Sequence, residues 1–154
     1  MSNDNSQLAD RFAIRELIDR YCYSINERDW VALESCYTED AVWDVGTPLN
    51  FYFEGRKAIL EFCMAKLPEG DFVWLTPHAT VIWLDGDNKA RAHSTMMELT
   101  RVKGGASGTQ KLATYTDNLV KINGEWRFKV HTFRVTNIEF TAPAGDCYKE
   151  WKAG

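Results

Sequence analysis

Three histidines, His78, His93 and His131, are the side chains best suited to exchange protons near neutral pH. His93 alternates with Ala92 and Ser94, whose small side chains suit the concave face of a sheet, so His93 is predicted to face outward. His131 is predicted to face away from its apolar neighbours unless a bulge intervenes, and His78 is expected to face a pocket. Because no histidine spacing resembles a metal site, the expected chemistry is metal-free proton transfer.

A second set of reactive groups follows from the same alternation. Ser94, Met96 and Glu98 share one face of their segment, and Tyr115 and Asp117 are predicted to face them from the next strand. Burial in an apolar cavity raises the pKa of a carboxyl group, so a carboxylate placed there could act as a base near neutral pH. The alternative is a salt bridge at the rim of the sheet.

Aromatic side chains are predicted to supply the rest of the pocket wall. Trp43, Asp44 and Val45 belong to one short strand, and Tyr52 and Trp74 add flat apolar surface. Such a wall favours a hydrophobic or aromatic ligand over a sugar phosphate. Together with Leu75, Met96, Glu98, Tyr115, Asp117 and His131, the residues Trp43, Val45 and Tyr52 form the predicted substrate-binding set.

Two helices at the start of the chain must hold part of this site. An apolar stripe at helical spacing predicts one long helix with one face toward the core; its members are Leu8, Phe12, Leu17, Ile18, Tyr21 and Ile25. The polar run 26–29 ends that stripe, and Asp29 is predicted to cap a short helix over residues 30–36. We expect the two helices to cover the pocket as a lid.

The rest of the chain is predicted to be mainly strands. Short strands are expected at 41–46, 51–53 and 80–84, and longer ones at 89–103, 110–122 and 125–140. Asn123-Gly124 is a strong hairpin signal because both central residues of that turn need positive φ. Residues 56–66 are predicted to form a third helix that turns Ile59, Leu60, Cys63 and Met64 inward.

Composition limits the classes of function. The chain has 154 residues, of which 45% are hydrophobic, and this predicts a single domain over residues 1–154 with its core at about 8–140. The net charge of −4 argues against a nucleic-acid partner. Neither a membrane-spanning run nor a signal peptide is recognisable, so a cytoplasmic location is expected. Three of the four cysteines are predicted to be buried apolar residues in helices: Cys22, Cys36 and Cys63.

Cofactor motifs are also missing from the sequence. Gly104, Gly105 and Gly108 punctuate a hairpin and do not link a strand to a helix, so they do not form a phosphate loop. There is no GxSxG elbow either. Any catalysis is therefore expected to be cofactor-free.

The order of these segments resembles a known superfamily. The Asp-Trp elbow, the short helix, the TEDAVWD strand, the GRKAILEF helix, the DGD turn and the NGEWRF hairpin are similar to those of the nuclear-transport-factor-2-like proteins. The resemblance is strongest to the SnoaL-like branch, which includes polyketide cyclases, scytalone dehydratase and bile-acid dehydratase. It implies an α+β cone-shaped barrel, in which a strongly curved, mainly antiparallel sheet wraps around the N-terminal helices and encloses a hydrophobic ligand.

The resemblance also implies an acidic residue and a histidine as the catalytic pair. Here Asn26 stands at the acidic position and Leu75 near the histidine position, while His78 follows three residues later. A bulge at Pro77 would bring His78 inward; without one, the chain lacks this pair. Asn26 cannot titrate and could only orient a group.

Two further positions match the family in chemical type. Tyr21 stands where some dehydratases carry a tyrosine, and Arg134 lies near an arginine of some relatives. His78, Tyr21, Asn26 and Arg134 are therefore the predicted catalytic set, with His78 as the base.

The resemblance leaves three functions open. The first is a lyase or isomerase that acts on a small hydrophobic, aromatic or polycyclic molecule within a homodimer or larger homo-oligomer. The second is a non-catalytic module, like the small subunits of aromatic-ring oxygenases. The third is an epoxide hydrolase, for which Asp44, Arg134 and Asp117 are the candidate residues. Convergent titratable groups in the pocket would favour an enzyme, and a purely apolar interior would favour a module.

Overall fold

The computed structural model describes residues 2–150 and places three helices against one sheet. The helices are α1 (Ser2–Glu27), α2 (Trp30–Ser35) and α3 (Arg56–Lys66), and a short 3-10 turn follows at Leu67–Glu69. The six strands are β1 (Tyr37–Val45), β2 (Phe51–Glu54), β3 (Gly70–Asp85), β4 (Lys89–Val102), β5 (Gly108–Ile122) and β6 (Glu125–Glu139). The α+β class is as predicted.

The strands form a single open sheet in the order β2-β1-β6-β5-β4-β3. All neighbours are antiparallel except β1 and β6, which run parallel. The long meander β3 to β6 therefore forms most of the sheet; α1 packs against β3 and β6, and α3 packs against β1 and β2. Asn123 and Gly124 have φ of 52° and 83°, as the predicted hairpin turn between β5 and β6 requires.

Helix α1 buries a narrower stripe than its sequence suggested. Leu17, Ile18, Tyr21 and Ile25 are buried as predicted, and Ile14 joins them. Leu8 and Phe12 are exposed, so the prediction that they face the core is wrong. Asp10 is buried between Leu8 and Phe12 and accepts a hydrogen bond from Trp126 on β6, so Leu8 and Phe12 lie on a different face of α1 from the one that packs on the sheet.

The two short helices largely follow the prediction. The Asp29 carboxylate accepts a hydrogen bond from Ala32 N at 2.9 Å and caps α2. In α3, Ile59 and Cys63 are buried and Leu60 packs against the core, but Met64 is exposed and does not point inward as expected.

Strand β3 is longer than predicted, because it begins at Gly70 and continues through Pro77. Proline has no N–H to donate, and an edge strand such as β3 tolerates it. The pairing with β4 shifts register between Pro77 and Thr80, which marks a bulge at the predicted place.

Three cysteines are buried in helices or at a helix end, as predicted: Cys22, Cys36 and Cys63. Burial raises the pKa of Cys22 and Cys63 to about 12 and that of Cys36 to about 11. These thiols are therefore neutral members of the core at ordinary pH.

Candidate functional site

A cavity of about 150 Å³ lies between the helices and the concave face of the sheet. Helices α1 and α3, the β1–β2 connection and strands β1 to β6 each contribute side chains to it. The lining is Tyr21, Ile25, Trp43, Val45, Leu49, Phe51, Phe62, Cys63, Leu67, Val73, Leu75, Glu98, Thr100, Tyr115 and Phe133. The wall is thus mainly apolar and aromatic, with a few polar groups.

A pair of tyrosines supplies the central polar feature of the cavity. The hydroxyl groups of Tyr21 and Tyr115 lie 2.8 Å apart and are hydrogen-bonded to each other. Burial raises the pKa of both phenols well above the ordinary value. Both are therefore neutral near pH 7, and either can donate a hydrogen bond to a ligand oxygen.

Glu98 brings a carboxylate to the same cavity. Its Oε1 forms an ion pair with Lys111 Nζ, and Lys111 also donates to Thr109 Oγ1 at 2.7 Å. The Lys111 side chain is buried, so the ion pair is largely shielded from water. The sequence analysis left two roles open for Glu98, an inward base and a salt bridge, and the structure shows it both in the cavity wall and paired.

Asn26 and Leu75 occupy the two positions where the family resemblance implies an acid and a histidine, and they bind each other. Asn26 Nδ2 donates to Leu75 O at 2.9 Å, and Leu75 N donates to Asn26 Oδ1 at 2.7 Å. Leu75 lines the cavity, but Asn26 does not. The Asn26 side chain therefore fastens α1 to β3, and its predicted catalytic role gains no support from this geometry.

A histidine–carboxylate pair lies behind the tyrosines. His131 Nδ1 and Asp117 Oδ1 are 2.6 Å apart, and both side chains are 1% exposed. The imidazole stacks on the Tyr115 ring with 3.9 Å between centroids and 8° between planes, and the Tyr21 ring meets it edge-on at 4.6 Å. Within residues 5–150, His131 Nε2 and Asp117 Oδ2 are buried without a hydrogen-bond partner.

A bulge explains why His131 faces inward. Asn118 pairs with Val130 and Leu119 with Phe128, so Lys129 is an extra residue in β6. Phe128 and His131 are consequently both buried, although strict alternation would place them on opposite faces. A bulge that turns His131 inward was considered from the sequence, but its position at Lys129 could not be predicted.

His78 does not reach the cavity. Although the bulge near Pro77 is present, the His78 side chain is exposed and is not part of the lining. The expectation that His78 faces the pocket is therefore wrong. His93 lies on the outer face as predicted, where its Nδ1 is hydrogen-bonded to Thr116 Oγ1.

Arg134 also lies outside the cavity. Its guanidinium donates to Asp44 Oδ2 at 2.5 Å and to the backbone oxygen of Phe133 at 2.8 Å, at an exposed position. Arg134 and Asp44 thus form a surface ion pair, while Asp117 is paired with His131. The three candidate residues for an epoxide hydrolase do not converge on the cavity.

The predicted wall was partly correct. Trp43, Val45, Leu75, Glu98 and Tyr115 line the cavity as expected. Met96 is buried beside it without contributing to the lining, and Ser94 donates to or accepts from Thr80 Oγ1 at 3.0 Å. Tyr52 and Trp74 are exposed, so their predicted contact with a ligand is wrong.

Several residues of the cavity wall were not predicted from the sequence, because they belong to connections and helix faces. Leu49 and Leu67 lie outside regular strands, and Phe62 projects from α3 toward Phe53 and Trp43. Their apolar character was visible in the sequence. Their placement depends on how α3 packs across β1 and β2, which no local pattern encodes.

Within residues 2–150, no group of three or more histidine, cysteine, aspartate or glutamate side chains is placed to hold a metal ion. In the same range, no helix combines the length and the apolar character needed to cross a bilayer.

Comparisons with known proteins agree with this geometry. The family model for the SnoaL-like domain matches residues 6–132. No curated protein matches the chain significantly. A proposed scytalone dehydratase from Novosphingobium aromaticivorans DSM 12444 superimposes with a TM-score of 0.80 at 19% identity, over 93% of this chain and 98% of that chain.

A second solved structure gives a similar result. The hexachlorocyclohexane dehydrochlorinase LinA-type3 from Novosphingobium barchaimii LL02 superimposes with a TM-score of 0.79 at 21% identity, over 96% of this chain and 99% of that chain. At such identities the likeness establishes the fold, and these neighbours have the cone-shaped arrangement that the resemblance implied.

Proposed function

Because the chain belongs to the family of SnoaL-like domains, whose members bind small molecules or act as lyases, we propose that it is a cofactor-independent lyase or isomerase. The proposed substrate is a small hydrophobic molecule with one ring and one polar oxygen. The observation that carries this proposal is the convergence of the Tyr21–Tyr115 pair and the Glu98 carboxylate on one apolar cavity.

The size of the cavity narrows the class of substrate. An apolar cavity of roughly 150 Å³ in another protein holds one benzene molecule, and the volume here is about 150 Å³. A single ring therefore fits, and a polycyclic substrate would require the wall to move. Trp43, Phe51 and Phe62, whose rings are in contact in the cavity wall, offer aromatic surface to such a ring.

The polar groups suit proton abstraction beside a carbonyl. Glu98 would accept a proton from carbon through the carboxyl group that pairs with Lys111. The phenol of Tyr115 or Tyr21 would donate a hydrogen bond to the substrate oxygen, where negative charge develops. A leaving group on the neighbouring carbon would then depart, as in a dehydration, or the proton would return at another carbon, as in an isomerisation.

Proton abstraction can be tested before the natural substrate is known. We expect the protein to accelerate hydrogen–deuterium exchange of 2-cyclohexen-1-one in D₂O, followed by NMR. The Glu98→Gln variant should lose about 100-fold or more of this rate, as expected for removal of a general base. Glu61→Gln, at a surface position on α3, is the matched control and should exchange at the wild-type rate.

The second candidate is a binding module without catalysis. The mutual hydrogen bonds of Asn26 and Leu75 favour it, because they fill the positions of the implied acid and histidine with a structural contact. A module would bind 2-cyclohexen-1-one, measured by calorimetry, without accelerating its exchange. That result would contradict the lyase or isomerase proposal.

We also propose a homodimer or larger homo-oligomer in the cytoplasm. Exposed apolar side chains on α1 and β3 support the association: Leu8, Phe12, Val81 and Trp83. Light scattering coupled to gel filtration measures the mass directly, and a single-chain mass across the micromolar range would contradict the assembly.

A further inference from the structure

The buried pair of Asp117 and His131 is not explained by stability. Each side chain is 1% exposed, and each keeps one polar atom without a partner, Oδ2 and Nε2. Leaving a buried polar atom unpaired costs free energy. Replacing such a pair by well-packed apolar residues is often neutral or stabilising. Because this buried polar pair costs free energy and an apolar pair could replace it, its presence suggests a role in the chemistry of the neighbouring cavity.

The pair lies directly behind the tyrosines that line the cavity. The imidazole of His131 is stacked face to face on Tyr115 at 3.9 Å and meets Tyr21 edge-on at 4.6 Å. It does not itself line the cavity, so it can affect a ligand only through these two phenols.

Charge balance indicates where the protons of the pair are. A net charge in a fully buried aromatic environment is strongly disfavoured, so the pair is expected to be neutral overall. With no proton on Asp117 Oδ2, the neutral pair has a hydrogen on His131 Nε2, whether the proton between Nδ1 and Oδ1 belongs to the imidazole or to the carboxyl group. Burial also raises the pKa of Asp117, although the charge of His131 and its hydrogen bond lower it in part.

On the basis of the proposed function, we infer that Asp117 and His131 are positioning residues. Together they keep a proton on His131 Nε2, next to the pair formed by Tyr21 and Tyr115. This proton stabilises negative charge on the phenol oxygens, and thereby on a ligand oxygen that is bound to them. Titratable groups face the pair from three elements: Tyr21 and Cys22 on α1, Tyr37 on β1 and Tyr115 on β5. His93 on β4 lies on the opposite, outer face of the sheet, and its charge acts on Asp117 through the strand.

The first experiment measures the proton directly. The free protein is labelled with ¹⁵N-histidine, and two-bond ¹H–¹⁵N spectra are recorded across a pH series. We expect His131 Nε2 to be protonated at neutral pH and to stay so through the alkaline end of the series. An unprotonated Nε2 at neutral pH would overturn the inference, whatever the protein catalyses.

The second experiment measures the effect on a bound oxygen. The probe is 4-nitrophenol, whose absorption distinguishes the bound phenol from the phenolate. In the double variant Asp117→Leu/His131→Phe, the phenolate-to-phenol ratio should fall by about tenfold, less than the loss of a donor in direct contact with the charged oxygen would cause, because the N–H dipole behind the two phenols is removed. The His78→Gln variant, at an exposed position outside the cavity, should keep the wild-type ratio.

The thermal midpoint separates this role from a structural one. The double variant is expected to unfold at the wild-type temperature or above, because an apolar pair replaces a polar one. A lower midpoint with an unchanged phenolate ratio would identify a structural pair and overturn the inference. Failure of 4-nitrophenol to bind would count against the proposed function, and the nitrogen spectra would still decide the state of Nε2.

Discussion

At the scale of single residues, Asn26 shows how one substitution can turn an expected acid into a structural contact. Its amide both donates to and accepts from the backbone of Leu75, and both groups are buried. A carboxylate can accept the bond from Leu75 N but cannot donate to Leu75 O. The amide therefore suits this contact better than the acid that the family resemblance implied.

The Asn26→Asp variant tests this interpretation. At neutral pH we expect a loss of about 2–3 kcal/mol in the free energy of unfolding, because a buried carboxylate would face the carbonyl oxygen of Leu75. That environment raises the pKa of the introduced carboxyl group in the folded state. The loss should therefore be largest above the folded-state pKa and shrink as the pH falls below it.

Urea unfolding from neutral to acidic pH measures this change. Asn118→Asp, at an exposed position on β5, is the control and should show no such dependence. Wild-type stability of Asn26→Asp at neutral pH would mean that the contact with Leu75 is dispensable. It would also reopen a catalytic role for this position.

At the scale of secondary-structure elements, the helix α2 depends on its cap. Asp29 accepts a hydrogen bond from Ala32 N, and the buried Leu33 anchors the helix in the core. Asp29→Ala should lower the free energy of unfolding by about 1 kcal/mol, measured by urea denaturation. Asp29→Asn retains an acceptor and should lose much less. Equal losses in both variants would show that the cap is not the source of the stability.

The secondary-structure elements also show which features of the fold and the site can be predicted from the sequence. Local chemistry was readable: the Asp29 cap, the Asn123-Gly124 turn and the alternation of Met96 and Glu98 were all predicted, and the structure has them. The bulge at Lys129 was not locatable, because one extra residue in a strand leaves no composition signal. It reverses the face of His131, and the pairing of that residue with Asp117 therefore emerges only in three dimensions.

At the scale of the whole molecule, the helical layer is attached to the sheet by a few polar contacts beside the core. Trp126 Nε1 on β6 donates to Asp10 Oδ1 at 2.9 Å, and Lys121 Nζ on β5 lies 2.5 Å from the same oxygen. Arg11 Nη1 donates to the backbone oxygen of Ile82 on β3 at 2.8 Å. These contacts fix the angle of α1, from which Tyr21 reaches Tyr115.

The contact at Asp10 makes a prediction about acid stability. Burial raises the pKa of Asp10, but the hydrogen bonds from Lys121 and Trp126 and the charge of Lys121 outweigh it, so the pKa lies below its ordinary value. A depressed folded-state pKa stabilises the protein above the unfolded-state pKa, and this stabilisation disappears as the pH falls through the folded-state value.

Asp10→Asn should remove that part of the pH dependence. Its free energy of unfolding should be lower than that of the wild type at neutral pH, and the two should converge in acid, where Asp10 is protonated. Urea unfolding at several pH values below neutral measures the convergence, with Asp87→Asn in the exposed β3–β4 turn as the control. Parallel curves for Asp10→Asn and the wild type would show that the ionised carboxylate does not hold α1 on the sheet. The position of Tyr21 at the cavity would then depend on apolar packing and on the contacts that Arg11 and Asn26 make with β3.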